Sequence, residues 1–369
     1  MRTLPAACAA AVAVLALAAG CAREPGAAPS APAVSHQAGR VEATARSGNP
    51  AAVTARDGIF GQLYVNPSLT FTGAGLYLTF QRSAGQYPPR MTLARVDPAT
   101  GAVEASNTFS PGVVSAPLYA AGWLWVTDDA VSAGDVLLLR LDPRTLMVTG
   151  ELDAGRPSPD SPELGGPVAY AGGSVWVDGA GQLVRVAPAT VTAQLTIPMP
   201  GAYSASIAAS ADGSTLIVSE ADAGTGSIQR RDPVTGAVLA SYPVAGVVAA
   251  MFGGVTGEGV WVRVPTGMLG YVERFQTATM TPQAGTRVEG SNGISADVWD
   301  GVLWVRNEVG GARLNYCASP ATGRRLATLP LPDLDEDYLL TVHAGIMYYS
   351  VAAGDGFAIR TVPAPAACE

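Results

Sequence analysis

Leu93-Ala-Arg-Val-Asp-Pro-Ala-Thr-Gly101 returns as Leu138-Leu-Arg-Leu-Asp-Pro-Arg-Thr145, as Leu183-Val-Arg-Val-Ala-Pro-Ala-Thr190 and as Ile228-Gln-Arg-Arg-Asp-Pro-Val-Thr-Gly236. Arg95, Arg140, Arg185 and Arg230 stand 45 residues apart, and weaker copies centre on Arg274, Tyr316 and Arg360. The text after each arginine is turn chemistry: Asp caps its own backbone, Pro fixes φ, and Gly accepts a positive φ. A second motif precedes the first in every copy, a glycine turn followed by an apolar, aromatic-rich stretch. Its copies are Gly75-Leu-Tyr-Leu78, Gly122-Trp-Leu-Trp-Val126, Gly173-Ser-Val-Trp-Val177, Gly213-Ser-Thr-Leu-Ile-Val218, Gly259-Val-Trp-Val262, Gly301-Val-Leu-Trp-Val305 and Gly345-Ile-Met-Tyr-Tyr349. Val, Trp, Tyr and Leu in such runs favour pleated, half-buried backbone. No stretch of the repeat region carries helical periodicity. A period of 40 to 50 residues with short strands reads as one four-stranded blade per copy.

These motifs resemble the blade text of the quinoprotein-like, YVTN and virginiamycin B lyase-like propellers, over about 310 residues of the chain. The expectation is an all-β, seven-bladed β-propeller of four-stranded blades. The last copy ends at Ala358-Ile-Arg-Thr-Val362, and the tail from Pro363 to Glu369 is too short and proline-rich for a good fourth strand. An N-terminal strand, Ile59-Phe-Gly-Gln-Leu-Tyr-Val65, is therefore expected to complete the last blade and cover two sheet edges.

The N-terminus reads as an export signal. Arg2 precedes an Ala/Val/Leu run from Leu4 to Ala19, too short for a membrane span. Leu17-Ala-Ala-Gly-Cys21 resembles the bacterial lipoprotein signal, which implies lipidation of Cys21 and anchoring to the cell membrane, on its extracytoplasmic side. Residues 21–56 are rich in Ala, Pro, Gly and Ser and read as a flexible tether, leaving 1–20 as signal peptide and 57–369 as propeller. With Cys8 discarded and Cys21 lipidated, Cys317 and Cys368 remain as an even pair in an oxidising compartment, expected as a disulfide.

Composition narrows the function. A net charge of -8 argues against nucleic acid as a partner. All 22 basic residues are arginine, which removes lysine Schiff-base chemistry and the P-loop lysine. In propellers, the loops between second and third strands and those between blades share one face. Here those loops hold Asp128, Asp129, Asp178, Glu220 and Asp222 among many acids, against few cations, Arg263 and Arg306 among them. The face should be acidic and suit a cation or a basic patch on a partner; the plainer reading is a solvated polar rim. Asp333, Asp335 and Asp337 alternate as Ca²⁺ ligands can, although the glycine and distal glutamate of an EF-hand are missing.

Catalytic signals are sparse. One of the two histidines, His36, lies in the tether, so His343 is the histidine of the fold. It ends the run Tyr338-Leu-Leu-Thr-Val-His343 and could line the central channel. The virginiamycin B lyase family uses a channel histidine with Mg²⁺, but the text around His343 does not match that site. There is no G-x-S-x-G elbow, no zinc spacing and no quinoprotein tryptophan-docking motif. The expectation is a monomeric, cofactor-free, non-catalytic binding or scaffold protein of the cell envelope, taking a protein, peptide or glycan on its acidic face. The alternatives are a metal-assisted lyase or lactonase working in the channel, and a structural spacer.

Overall fold

The computed structural model describes residues 53–55, 68–81, 91–109, 113–130, 135–155, 167–179, 181–199, 206–222, 225–245, 251–255, 258–266, 269–291, 294–309, 312–329, 340–353 and 356–368. They form seven antiparallel sheets, a seven-bladed β-propeller, with a single 3-10 turn at Ala366–Cys368 as the helical element among them. Blade 1 shows the plan: Ser68–Thr72, Gly75–Gln81, Met91–Val96 and Val103–Phe109 lie side by side in chain order. Blades 2 to 6 repeat it over 113–155, 168–198, 206–245, 251–291 and 295–328, with the innermost strand of blade 2 (Val113–Val114 and Leu118–Ala120) and the outermost of blade 5 (Thr281–Pro282 and Val288–Ser291) each in two pieces. The first strands of neighbouring blades pack together from blade 2 round to blade 7, and blade 7 (Leu340–His343) meets blade 1 (Ser68–Thr72). First strands are therefore innermost.

Alternation along the second strand explains why no blade is stable alone. Leu124 and Val126 share an apolar cluster with blade 1, while Trp125 between them packs toward blade 3. Side chains of successive strand residues point to opposite faces, so each sheet is apolar on both. The result is seven clusters, each shared by two neighbouring blades. Tyr77, Trp125, Trp176, Ile217, Trp261, Trp304 and Tyr348 hold equivalent positions, and each enters the cluster with the following blade. The repeated aromatic is thus a wedge between blades, with Ile217 taking its place in blade 4.

The other repeated letters have interblade tasks too. Tyr77 donates its hydroxyl hydrogen to the Pro143 carbonyl at 2.8 Å, and the Trp261 indole N–H donates to the Pro320 carbonyl at 2.9 Å, each gripping the next blade's turn. The repeated arginine does the same from the third strand. Arg140 donates to the Pro188 and Ala189 carbonyls at 2.9 and 2.7 Å, and Arg185 to that of Val234 at 2.6 Å. Inside the turn, Asp142 Oδ1 accepts from the Arg144 and Thr145 amides, and Asp232 Oδ1 from those of Val234 and Thr235. Gly323 closes one such turn at φ 69°, where a Cβ would come within 2.8 Å of the Trp261 ring of the preceding blade. At the same place in other turns Leu146, Val191 and Met280 accept φ of 59°, 56° and 54° and bury their side chains in an interblade cluster.

Blade 6 departs from the arginine rule. Arg140 stands opposite Trp125 and Arg185 opposite Trp176; the residue opposite Trp304 is Cys317, one place beyond Tyr316 where the repeat suggested the motif's centre. Cys317 is bonded to Cys368, as expected, and Cys368 follows the third strand of blade 7, Gly356–Pro363. The disulfide thus spans blades 6 and 7 at the station where arginine links other neighbours.

Closure comes from the N-terminal side, but not from the expected segment. Val53–Ala55 pairs antiparallel with Phe357–Ile359 as the outermost strand of blade 7. That strand lies within the stretch read as tether. Val53 and Thr54 are β-branched and suit pleated backbone, and three residues suffice to cover an outer edge. Ile59–Val65 lies outside the described residues.

Candidate functional site

Two residues beyond each wedge, on the same face of the second strand, lies a tier of polar side chains. Its members are Thr79, Thr127, Asp178, Ser219, Arg263, Arg306 and Ser350. In blades 1 and 4 the hydroxyl fastens the innermost strand: Thr79 Oγ1 accepts from the Ser68 amide at 2.8 Å, and Ser219 Oγ from the Ser206 amide at 3.0 Å. Thr79, Thr127, Ser219 and Ser350 are all buried. Blades 3, 5 and 6 carry a charge at this tier instead.

Arg263 and Arg306 are half-buried and occupy matching positions in adjacent blades. Burial lowers the Arg263 pKa from its ordinary value, and the like charge of Arg306 adds to the effect. Asp297 sits on the innermost strand of blade 6, Ser295–Trp299, with Trp304 as its cross-strand partner and Ser295 opposite Arg306. It therefore shares the face of Arg306 on the neighbouring strand. Burial raises the Asp297 pKa, and the Arg306 guanidinium opposes that rise. Arg306 is thus the shared neighbour of Arg263 and Asp297, and both arginines lie mid-strand, three residues before the second strands of blades 5 and 6 end at Thr266 and Val309.

The acids expected on this face sit elsewhere around the ring. Asp128 and Asp129 end the second strand of blade 2, Asp178 that of blade 3, and Glu220 and Asp222 that of blade 4. Asp128 and Asp178 are buried. The Glu220 carboxylate is engaged inside the blade, accepting from Arg231 at 2.7 Å and from Gln229 at 2.6 Å, while Arg231 also donates to the Gly236 carbonyl. The second strands all run the same way, so their ends mark one face. Charge on it is divided, with acids over blades 2 to 4 and the arginine pair over blades 5 and 6.

Asp333, Asp335, Asp337 and Cys21 lie outside the described residues. Among the described residues no three His, Cys, Asp or Glu side chains come together as a metal-binding group. His343 is exposed rather than set in the channel. It is the last residue of its innermost strand, beside the turn at Ala344 and Gly345 on the opposite end of the ring, and stacks on Phe71 of blade 1 with centroids 4.4 Å apart. The apolar run leading to it placed it on an inner strand correctly; the turn after it carries it out to solvent. Asp297 was missed, although Ala296-Asp-Val-Trp299 puts a lone acid in an otherwise apolar strand.

No known protein family and no curated protein matches the chain. Solved structures do. A chain of the mitotic checkpoint complex aligns with a TM-score of 0.57 at 13% identity, covering 96% of this chain and 98% of that one. BamB from Moraxella catarrhalis aligns at 0.50 and 13% identity, over 83% and 85%. Dihydro-heme d1 dehydrogenase NirN, in complex with DHE, aligns at 0.52 and 16%, over 83% of this chain and 65% of that one. What they share with this chain is the propeller fold.

Proposed function

We propose that the chain is an exported, lipid-anchored propeller that works without catalysis, binding a partner at the cell envelope through the face where its second strands end. The division of that face into an acidic arc over blades 2 to 4 and a basic pair over blades 5 and 6 carries the reading. Complementary fields of both signs fix the orientation of a partner and reject wrong ones. The opposite end is occupied by the turns that lock blade to blade, and the carboxylates of Asp142, Asp212 and Asp232 there are spent on hydrogen bonds within their own turns. The similar chain from the mitotic checkpoint complex belongs to a multiprotein assembly, which agrees with a propeller used as a docking surface. Lipidation of Cys21 would keep that surface at the membrane.

The test uses the full-length protein extracted from its own envelope after chemical crosslinking. Charge reversal at the strand ends, Asp129→Lys with Asp222→Lys, should abolish the specific crosslinked species. Arg324→Glu, in an exposed turn of the opposite end, should leave it intact. Retention of the species in the first variant, or its loss in the second, refutes the assignment of the face. Cys21→Ser should release the protein from the membrane fraction.

A further inference from the structure

The polar tier supplies an internal standard for what the fold needs. In blades 1 and 4 a hydroxyl at this position fastens the innermost strand, and blades 2 and 7 carry a buried hydroxyl there as well. A threonine or serine satisfies the architecture with one short side chain. An arginine at the same place loses about 2 kcal/mol of rotamer entropy, and taking its charge out of water adds a further cost. Blades 5 and 6 carry that cost side by side, and the two guanidinium groups repel one another. Repeat logic assigns such a departure to something other than the repeat.

We infer that Arg263 and Arg306 form a seat for a carboxylate of a mixed-charge peptide or protein partner, with Asp297 setting the net charge of the site. This deepens the binding role proposed above and rests on it. With Asp297 as a carboxylate the three groups sum to one positive charge, which a single carboxylate neutralises and a phosphate dianion would overshoot. Arginine's planar fork matches a carboxylate in two-point geometry. Each arginine also interacts within the chain, so a ligand carboxylate would add to an existing set of contacts. A peptide fits better than a purely anionic polymer because the acids of blades 2 to 4 share the face. Basic residues of the same peptide would lie toward the acidic arc of blades 2 to 4.

The test compares two libraries of capped, mixed-charge heptapeptides, one with Glu at a fixed central position and the other with Gln there, on the full-length protein. Arg263→Thr and Arg306→Thr restore the hydroxyl that blades 1 and 2 carry. The wild type should bind the Glu library about tenfold more tightly, the scale of one good charge-assisted contact. Each threonine variant should lose that preference while unfolding at no lower temperature than the wild type. Equal binding of both libraries overturns the carboxylate seat and leaves the binding face standing. No binding of either overturns both. A preference that survives the double variant, or threonine variants that unfold at markedly lower temperature, would make the arginines structural and overturn the inference.

Discussion

Cys317 bonds Cys368 at the station where, between blades 2 and 3, Arg140 grips the turn at Pro188. In blades 1 to 5 the chain continues from the third strand into outer pairing within the same blade, and polar links reach the next blade's turn. Blade 7 borrows its outer strand from Val53–Ala55, so the tail after its third strand has no strand to lead into. A covalent bond holds that tail in the cluster between blades 6 and 7.

Reduction should therefore loosen the last blade first. With the cysteines 51 positions apart in sequence, loss of the bond is expected to cost ~4 kcal/mol in the chain-entropy account. Denaturant unfolding with and without reductant measures it, and hydrogen exchange should show the earliest loss of protection in Gly356–Pro363.

Removing an arginine link should weaken one seam and leave its neighbours alone. Arg140 makes two hydrogen bonds to the next blade's turn and lies over the Trp123 ring, 4.6 Å from its centroid. Arg140→Ala should lower stability by about 1–3 kcal/mol. Arg140→Lys should recover only part of it, because one ammonium cannot reproduce the fork. Urea titration of the three proteins gives both values.

The Tyr77 hydroxyl is buried and donates to the Pro143 carbonyl. Burial pushes its pKa up to about 12, with the Arg95 charge opposing the rise. The ultraviolet difference between wild type and Tyr77→Phe should show no phenolate from this residue until near that pH. The variant should be less stable by ~1 kcal/mol, the usual worth of one such bond.

Leu146 combines a left-handed backbone with a fully buried side chain. Leu146→Gly relieves about 1–2 kcal/mol of conformational cost but removes a core side chain worth about 2–5 kcal/mol. The variant should come out less stable, by roughly 0–4 kcal/mol on those figures. Thermal unfolding checks the sign; a stabilised variant would mean the backbone cost outweighs the packing.

Asp212 accepts hydrogen bonds from the Ser210 hydroxyl at 2.5 Å and from the Ser214 amide and hydroxyl at 3.0 and 2.8 Å, which hold its pKa down to about 2. A lowered carboxylate contributes stability that is present above its unfolded pKa and lost as pH falls through the folded one. The advantage of wild type over Asp212→Asn in melting temperature should be constant above about pH 5 and shrink between about pH 4 and 2. Calorimetry at three pH values measures the trend.

Much of this architecture was legible because its letters repeat for a reason. The aromatic wedge, the arginine and the Asp-Pro turn each act between blades, so every copy needs them in register. The closing strand was hard to find because Val53–Ala55 is three residues long in an Ala-rich stretch, and its role is visible only in the pairing. Cys317 looked like a neighbour of the weak copy at Tyr316 because a one-residue offset is invisible without a partner strand. Arg263 and Arg306 were visible as cations on the loop face. Their partial burial and their mutual proximity depend on how blades 5 and 6 meet, which no single repeat encodes.

Val53–Ala55 and Phe357–Ile359 place both ends of the ring in one sheet. Tension applied to the N-terminal segment is thus delivered to a three-residue ribbon on the rim of blade 7, pulling on hydrogen bonds to Phe357–Ile359 before it reaches any wedge. Peeling that ribbon would bare a strand edge while the disulfide still clasps blade 7 to blade 6. A protein moored by its N-terminus would carry there a built-in weak link, and the other six blades would hold their shape while it yields.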